Sequence, residues 1–239
     1  MLGKISSIET YGTLDGPGIR FVVFFQGCNL QCIYCHNPET WDTGEGRNVS
    51  IDELMDHIRK YRTYFTTGGG VTASGGEPLI QAPFVTRLFE LCKRENIHTA
   101  LDTSGSTIPE GIDDLLAYTD LVLLDIKHTD RKEYRFLTKG QNMYWQRWLT
   151  VLEEKKKPYW VRQVLLPGIT DTEKYLTGLA GVLKNLKYCQ KIELLPYHDL
   201  AVKKWKDLGM EYSLKDLPPM GDAGVRKSRE FLQQYGLKV

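Results

Sequence analysis

The 239-residue sequence contains no long hydrophobic run. A transmembrane helix needs about 18 consecutive apolar residues, whereas the most apolar early segment, Ile19 to Phe25, already includes Arg20. The first residues, Met1 to Glu9, lack the basic region, the apolar run and the small-residue cleavage site of a signal peptide. We therefore expect a cytoplasmic protein without a membrane-spanning segment.

The sequence also has almost no net charge, since 31 Lys and Arg residues are balanced by 30 Asp and Glu residues. A balance of +1 provides no electrostatic drive towards nucleic acid or an anionic membrane. Internal repeats, low-complexity tracts and long linkers rich in Pro, Gly or Ser are absent as well. A single domain over residues 1–239 is the expected organisation.

Cysteine is scarce, and five residues of this type do not make a disulfide framework. Three of them, Cys28, Cys32 and Cys35, nevertheless follow the spacing C-x3-C-x2-C. In a reducing compartment this crowding indicates metal binding. Three thiolates on one tight loop can hold three corners of a cubane iron–sulfur cluster and leave one iron open. A structural zinc site, with His36 or a lone cysteine as fourth ligand, is the alternative.

Short apolar or β-branched runs alternate with amphipathic stretches, which predicts βα units and a parallel sheet. The six predicted strands are Ile19–Phe25, Val71–Ser74, Thr99–Leu101, Leu121–Ile126, Tyr159–Leu165 and Lys191–Leu195. The predicted helices begin at Ser50 and after Pro83, and cover Ile112–Ala117, Met143–Glu154, Lys174–Leu186 and Ala223–Tyr235. This pattern alone leaves a doubly wound sheet and a barrel of fewer than eight strands equally open.

Polar, titratable and glycine-rich residues follow most of the predicted strands. They are Gln26-Gly27-Cys28, Gly75-Gly76-Glu77-Pro78, Asp102, the pair Asp125 and Lys127, and Pro196-Tyr197-His198. In both candidate architectures ligands bind beyond the carboxyl ends of the strands. A structural protein would have little reason to collect such residues there, so the pattern favours one site assembled from several strand ends.

Several motifs together resemble a known family. The cysteine loop, with Tyr34 before its last cysteine, resembles the signature of the radical S-adenosylmethionine (SAM) superfamily, and residues 74–78, SGGEP, resemble its GGE motif. Residues 15–20, DGPGIR, the Asp-x-Lys of residues 125–127, and residues 194–198, LLPYH, narrow the resemblance to the activases of glycyl-radical enzymes. The match covers nearly the whole chain.

The resemblance implies an α/β fold, a partial (β/α)6 barrel, with a [4Fe-4S] cluster bound by the catalytic cysteines Cys28, Cys32 and Cys35. The residues that it implies for SAM binding are Tyr34, Cys35, His36, Gly75, Gly76, Glu77, Asp102, Asp125, Ile126, Lys127 and His198. Asp102 and Asp125 are also expected to hold a monovalent cation. Asp15 and Arg162 are expected to contact the substrate.

Two of these assignments have plainer alternatives on the residues alone. Asp125 and Lys127, two apart on a strand, point the same way and can form a structural ion pair. A lone histidine such as His198 is usually an ordinary surface or core residue.

The implied reaction is reductive cleavage of SAM to a 5′-deoxyadenosyl radical, which abstracts the α-hydrogen of a backbone glycine in a partner enzyme. No cysteine lies between Cys35 and Gly75, where many activases of this family insert a ferredoxin-like module, and this favours pyruvate formate-lyase as the partner. A flavodoxin or ferredoxin is the expected electron donor, and the expected state is a monomer. The alternatives are an activase of another glycyl-radical enzyme, or an iron–sulfur electron carrier or binding module.

Overall fold

The computed structural model describes residues 1–66 and 68–239. The chain divides into two compact units, each drawn from two stretches of the sequence. The first unit contains Met1–Asn29 and Glu39–Leu123, and the second contains Leu30–Pro38 and Leu124–Val239. The single domain expected from the sequence stays a prediction.

The first unit is built around a sheet. Its strands are β1 (Leu2–Gly12), β2 (Arg20–Phe25), β3 (Arg47–Ser50), β4 (Gly70–Gly75) and β5 (His98–Thr103). They lie in the order β3-β1-β2-β4-β5. The strand β1 is antiparallel to β2 and β3, whereas β2, β4 and β5 run parallel. The strand β6 (Leu121–Asp125) begins in this unit, and its last two residues belong to the second.

The helices of the first unit bury one apolar face each. They are α1 (Ile51–Tyr61), α2 (Ala82–Arg94) and α3 (Ile112–Ala117). The predicted start of α1 is confirmed, because the Ser50 hydroxyl accepts a hydrogen bond from the Glu53 amide at 3.1 Å and caps the helix. Leu54 and Ile58, four residues apart, are fully buried.

The second unit contains two parallel strands and five helices. They are α4 (Arg131–Thr138), α5 (Trp145–Glu154), β7 (Tyr159–Leu165), α6 (Glu173–Leu183), β8 (Cys189–Pro196), α7 (Val202–Asp207) and α8 (Asp222–Gln233). Along β7 fully buried residues alternate with half-buried ones, so one face packs in the core and the other is partly open. Arg162 and Glu193 are register partners on β7 and β8. Their side chains therefore project from the same face of this strand pair.

The structure confirms all six predicted strands and the six predicted helices, with boundaries that differ by a few residues. Sequence analysis missed β1, β3, α4 and α7. The strand β1 alternates polar and apolar residues only weakly, and β3 has four residues. None of the helices within residues 1–66 and 68–239 combines the length and the apolar content that crossing a bilayer requires.

A buried arginine ties together the amino ends of the parallel strands in the first unit. The Arg20 side chain is fully buried, and its Nε donates a hydrogen bond to the Thr72 hydroxyl at 2.8 Å. Its Nη1 lies 3.1 Å from Nδ1 of His98. Because a guanidinium can only donate, His98 Nδ1 must accept and stay unprotonated. Burial, followed by the charge of Arg20, lowers the pKa of His98 from 6.5 to about 4.

This contact predicts a pH dependence of folding. His98 takes up a proton more readily in the unfolded chain, so its contribution to stability is complete above pH 6.5 and is lost as the pH falls towards 4. Replacing His98 with Asn keeps an acceptor near Arg20 but removes the titration. We expect the free energy of unfolding of His98→Asn, measured in urea, to depend less on pH between 6.5 and 4. If the free energy of unfolding of His98→Asn changed with pH as steeply as that of the control His57→Asn, His98 would not be the titrating group.

Candidate active site

In the first unit, backbone hydrogen bonds hold the start of the cysteine loop. The Gly27 amide donates to the Thr40 carbonyl at 2.7 Å, and the Cys28 amide donates to the Trp41 carbonyl at 3.3 Å. On the other side of Cys28, the Ser106 hydroxyl donates to Oδ1 of Asn29 at 2.7 Å. Cys28 is therefore positioned by bonds to both of its neighbours in sequence.

The glycines that follow β4 are required by close packing against the segment that leads to Cys28. A Cβ on Gly75 would lie 2.5 Å from the Phe25 nitrogen, and one on Gly76 would lie 2.2 Å from the Gly27 carbonyl oxygen. Gly75 also has a φ of +107°, which other residue types rarely adopt. The Glu77 amide donates to the same Gly27 carbonyl at 2.8 Å. Packing thus accounts for both glycines, and their contact with SAM stays a prediction.

The carboxylate of Glu77 is fully buried and is bonded to the end of β5. Oε1 accepts a hydrogen bond from the Thr103 hydroxyl at 2.7 Å. Oε2 accepts from the Ser104 amide at 3.1 Å and from the Ser104 hydroxyl at 2.6 Å. Burial raises the pKa of Glu77, and the Ser104 and Thr103 hydrogen bonds oppose that rise. This carboxylate therefore links the turn after β4 to the turn after β5. Because the side chain is used in this way, Glu77 can contact a cofactor only through its backbone.

Asp102 and Asp15 lie along one face of the first unit's sheet. The Ser74 hydroxyl donates to Oδ2 of Asp102 at 2.7 Å, and the Thr72 hydroxyl donates to the backbone carbonyl of Asp15 at 2.7 Å. Thr72 and Ser74 are two residues apart on β4, so their side chains share that face. The turn that contains Asp15 is thus closer to the amino ends of the strands than Asp102 is.

In the second unit, Cys32 and Cys35 form a tight turn in which the Cys35 amide donates to the Cys32 carbonyl at 3.0 Å. The indole Nε1 of Trp205 donates to the Cys35 carbonyl at 2.9 Å. The thiol of Cys32 is buried, and this burial raises its pKa to about 12, although the charge of Lys127 opposes the rise. Since the thiolate is the form that binds metal, the Cys32 thiol must release its proton when it binds iron.

Charges of alternating sign cross the strands of the second unit. Lys127 Nζ lies 2.6 Å from Oδ2 of Asp125, and Oδ1 of Asp125 lies 3.5 Å from Nε of Arg162. The same Nε is 3.8 Å from Oε2 of Glu193, and Glu193 pairs with Lys191 at 2.6 Å. Lys127 and Arg162 hold the pKa of Asp125 below its usual value although burial opposes them. The carboxylate of Asp125 is therefore ionised at neutral pH.

Two histidines stack beside the cysteine turn. The rings of His36 and His198 have their centroids 4.1 Å apart, and Nε2 of His36 lies 3.3 Å from the His198 carbonyl oxygen. Burial, with a smaller effect from His198, lowers the pKa of His36 to about 4. Lys127 Nζ lies 5.9 Å from the ring centroid of Tyr34. The second unit thus brings His36, His198 and the cysteine turn together.

The residues of the second unit fit the groups that the sequence implies. Within the described part of the chain, the buried atoms of the second unit that have no hydrogen-bond partner include Oδ1 of Asp125 and Nδ1 of His198. Buried polar atoms are normally bonded, so a ligand can bond to both: the Asp125 oxygen accepts, and the His198 nitrogen accepts or donates according to its tautomer. SAM carries an ammonium group and ribose hydroxyls as donors and a carboxylate that suits Lys127. The soft sulfur donors of Cys32 and Cys35 suit an iron–sulfur cluster.

The remaining predicted features are Ile126 and the cation site. Ile126 has a buried side chain and donates its amide to the Arg162 carbonyl at 3.0 Å, so only its backbone can meet a ligand. The cation site of Asp102 and Asp125 stays a prediction. Across residues 1–66 and 68–239, no three His, Cys, Asp or Glu side chains group around a single metal ion. The cysteines of a cubane cluster each bind a different iron.

Sequence analysis missed three residues of these sites. Ser74 was assigned only as part of the SGGEP motif, Glu193 as part of a strand, and Trp205 was not singled out. The sequence offers one signal for Glu193, which is an acidic residue on a strand next to the strand of Arg162. Using that signal requires the register of β7 and β8, which only the structure gives. Trp205 lies 170 residues from Cys35 in sequence, so no local pattern connects them.

Comparison with known proteins gives consistent matches. Residues 22–177 match the family model described as the Radical SAM superfamily. The chain is 42% identical over 242 residues to a pyruvate formate-lyase-activating enzyme of Staphylococcus epidermidis, which spans 98% of this chain and 96% of the relative. It is 41% identical over 235 residues to the enzyme of that name from Clostridium pasteurianum, over 98% of both chains.

Solved structures show the same fold. A domain of a pyruvate-formate lyase-activating enzyme from Bacteroides vulgatus is 28% identical, with a TM-score of 0.60, and covers 72% of this chain and 97% of its own. A radical SAM methyltransferase from Sphaerobacter thermophilus is 17% identical, with a TM-score of 0.67, over 92% of this chain and 65% of its own. These likenesses confirm the predicted α/β fold class of the radical SAM type.

The Glu77 contacts predict a stability effect. In Glu77→Gln an NH2 group replaces one carboxylate oxygen, so it faces a backbone N–H that can only donate, either that of Ser104 at the Oε2 position or that of Leu79 at the Oε1 position. We expect the free energy of unfolding to fall by about 1–3 kcal/mol, the cost of a buried group left unbonded. Urea titration followed by tryptophan fluorescence measures it, with the exposed Glu45→Gln as control. Equal urea midpoints for Glu77→Gln and Glu45→Gln would show that the hydrogen bonds of the Glu77 carboxylate do not stabilise the fold.

Proposed function

Because the chain belongs to the radical SAM superfamily, we propose that it activates pyruvate formate-lyase by generating a glycyl radical on a backbone glycine of that enzyme. The observation that carries this proposal is the identity of 41–42% to pyruvate formate-lyase-activating enzymes over 98% of the chain. A match over this share of both chains spans the strand ends as well as the cysteine loop. The protein is therefore a radical SAM oxidoreductase.

Cys28, Cys32 and Cys35 hold a [4Fe-4S] cluster, and their C-x3-C-x2-C spacing leaves one iron for SAM. When bound, the cluster would give one electron to SAM, which would release methionine and supply a 5′-deoxyadenosyl radical able to take the glycine α-hydrogen, giving 5′-deoxyadenosine and a glycyl radical. The protein's own contribution is to position these groups and to exclude competing reactions.

The charged residues of the second unit orient SAM. Lys127 offers an ammonium group to the SAM carboxylate, and Oδ1 of Asp125 accepts a hydrogen bond from a SAM donor. Nδ1 of His198 offers SAM a second hydrogen bond. Since these charges are already paired and fixed in the protein, they need little reorganisation when SAM binds.

The substrate is a glycine-containing loop of the partner enzyme. Arg162 lies between two carboxylates on the partly open face of β7 and is proposed to contact the peptide backbone of that loop. In the first unit, Asp15, whose backbone carbonyl accepts a hydrogen bond from Thr72, is proposed to contact the substrate enzyme. A flavodoxin or ferredoxin supplies the electron, and the activase works as a monomer.

The decisive test is an anaerobic activation assay. The protein is reconstituted with iron and sulfide, reduced, and mixed with SAM and pyruvate formate-lyase. We expect 5′-deoxyadenosine to form together with a glycyl doublet in the electron paramagnetic resonance spectrum. Deoxyadenosine without the doublet would point to another glycyl-radical enzyme as partner. Intact SAM under verified reduction would favour an electron carrier and overturn the proposal.

Replacing Cys32 with Ala tests the ligand assignment. We expect the variant to fold, because alanine is smaller than cysteine and leaves the buried neighbours Leu30 and Ile33 in place, but to lose cluster assembly and SAM cleavage. Iron content, the visible absorption of the cluster and deoxyadenosine formation measure this. The matched control is Cys189→Ala on β8, which should retain all three properties. A Cys32→Ala protein that keeps iron and cleaves SAM would refute the assignment.

Replacing His198 with Ala tests SAM binding apart from the cluster. We expect the dissociation constant for SAM to rise about tenfold, the effect of losing one hydrogen bond worth about 1.4 kcal/mol. The iron content should not change. Equilibrium dialysis with the reconstituted protein gives both values, and His57→Ala serves as the control. Unchanged SAM affinity would return His198 to an ordinary structural role.

A further inference from the structure

The helix α4 carries an exposed aromatic residue among cations. Lys132, Arg135 and Phe136 are three and four residues apart and so lie on one side of the helix. Lys139 follows the last turn, and its Nζ lies 5.3 Å from the Phe136 ring centroid. All four side chains are exposed, Phe136 to 54%. We call these four residues the α4 face.

The opposite side of the same helix is fixed in the core of the second unit. Tyr134, Leu137 and Thr138 are fully buried. The Asp130 side chain caps the helix by accepting hydrogen bonds from the Lys132 and Glu133 amides at 2.8 and 3.0 Å. The α4 face is therefore presented by a rigid element, as a docking surface requires.

The end of α4 is bonded directly to the cysteine loop. The Gln31 amide donates to the Thr138 carbonyl at 2.8 Å, and the Ile33 amide donates to the Leu137 carbonyl at 2.9 Å. The Ile33 nitrogen is covalently bonded to the carbonyl carbon of Cys32. One hydrogen bond thus separates the helix that carries the α4 face from the backbone of a cluster ligand.

The charge around this face is mostly positive. From Asp130 to Leu152 the sequence contains five Lys or Arg residues and two acidic residues, Asp130 and Glu133. The Asp130 side chain is used to cap the helix. The whole chain has a net charge of only +1, so this concentration is local. A positive patch accelerates association with an acidic partner, and an exposed aromatic ring beside arginine is typical of the centre of a protein interface.

We propose that the α4 face is the docking surface for the reducing partner, an acidic one-electron carrier protein. The inference rests on the proposed function, because only a protein with a redox cluster needs such a partner. The positive charge selects the acidic carrier, Phe136 anchors it, and the hydrogen bonds of Leu137 and Thr138 provide a short route for the electron to the cysteine loop.

The test compares two charge-reversed variants of the reconstituted protein. Lys132→Glu/Arg135→Glu changes the α4 face, and Lys184→Glu/Lys187→Glu makes the same change of charge at exposed positions after α6. Stopped-flow absorbance follows cluster reduction by reduced flavodoxin at low ionic strength, and by dithionite. We expect the first variant to be reduced by flavodoxin about tenfold more slowly, with a weaker dependence on salt, and the second within about twofold of the unchanged protein.

Dithionite bypasses docking and separates this inference from the proposed function. Both variants should be reduced by dithionite at the original rate and should then form the same amount of glycyl radical on pyruvate formate-lyase. Phe136→Ala is expected to slow reduction by flavodoxin without altering its salt dependence. Equal flavodoxin rates for the two charge-reversed variants would overturn the proposal. So would a first variant that loses affinity for pyruvate formate-lyase while its flavodoxin rate is retained.

Discussion

Backbone hydrogen bonds fix both ends of the segment that carries the three cysteines. In the first unit the Gly27 and Cys28 amides are bonded to residues 40 and 41. In the second unit the Gln31 and Ile33 amides are bonded to the end of α4, and Trp205 bonds the Cys35 carbonyl. A loop that must present sulfur atoms cannot use those side chains to hold itself in place, so the rest of each unit supplies the restraint.

The two units meet different physical demands. In the first, the buried carboxylate of Glu77 links the turns after β4 and β5, which demands that each of its oxygens be hydrogen-bonded. In the second, Asp125 lies between Lys127 and Arg162, and its buried charge is offset by two cations. The first arrangement stabilises strand-end geometry. The second keeps a charged surface ready for a ligand that carries charges of both signs.

Much of the fold was predictable because it depends on local patterns. Continuous apolar runs such as Leu121–Leu124 mark buried strands, and the Ser50 capping box marks a helix start. The helix α4 was missed because its eight residues make only about two turns, too short a stretch for its periodicity to stand out in the sequence. It matters nonetheless, since it both supports the cysteine loop and carries the α4 face.

The sequence by itself determined the cysteine spacing, the strand-end motifs and the family, because each depends on residue types a short distance apart in the chain. Only the tertiary structure decided which polar atoms are hydrogen-bonded within the protein and which are left without a partner. It showed that the Glu77 carboxylate is bonded within the protein, whereas Oδ1 of Asp125 and Nδ1 of His198 have no hydrogen-bond partner among the described residues. It also connected Trp205 with Cys35 across 170 residues. Hydrogen bonding and burial depend on distances in space, which the packing of the strands and helices sets.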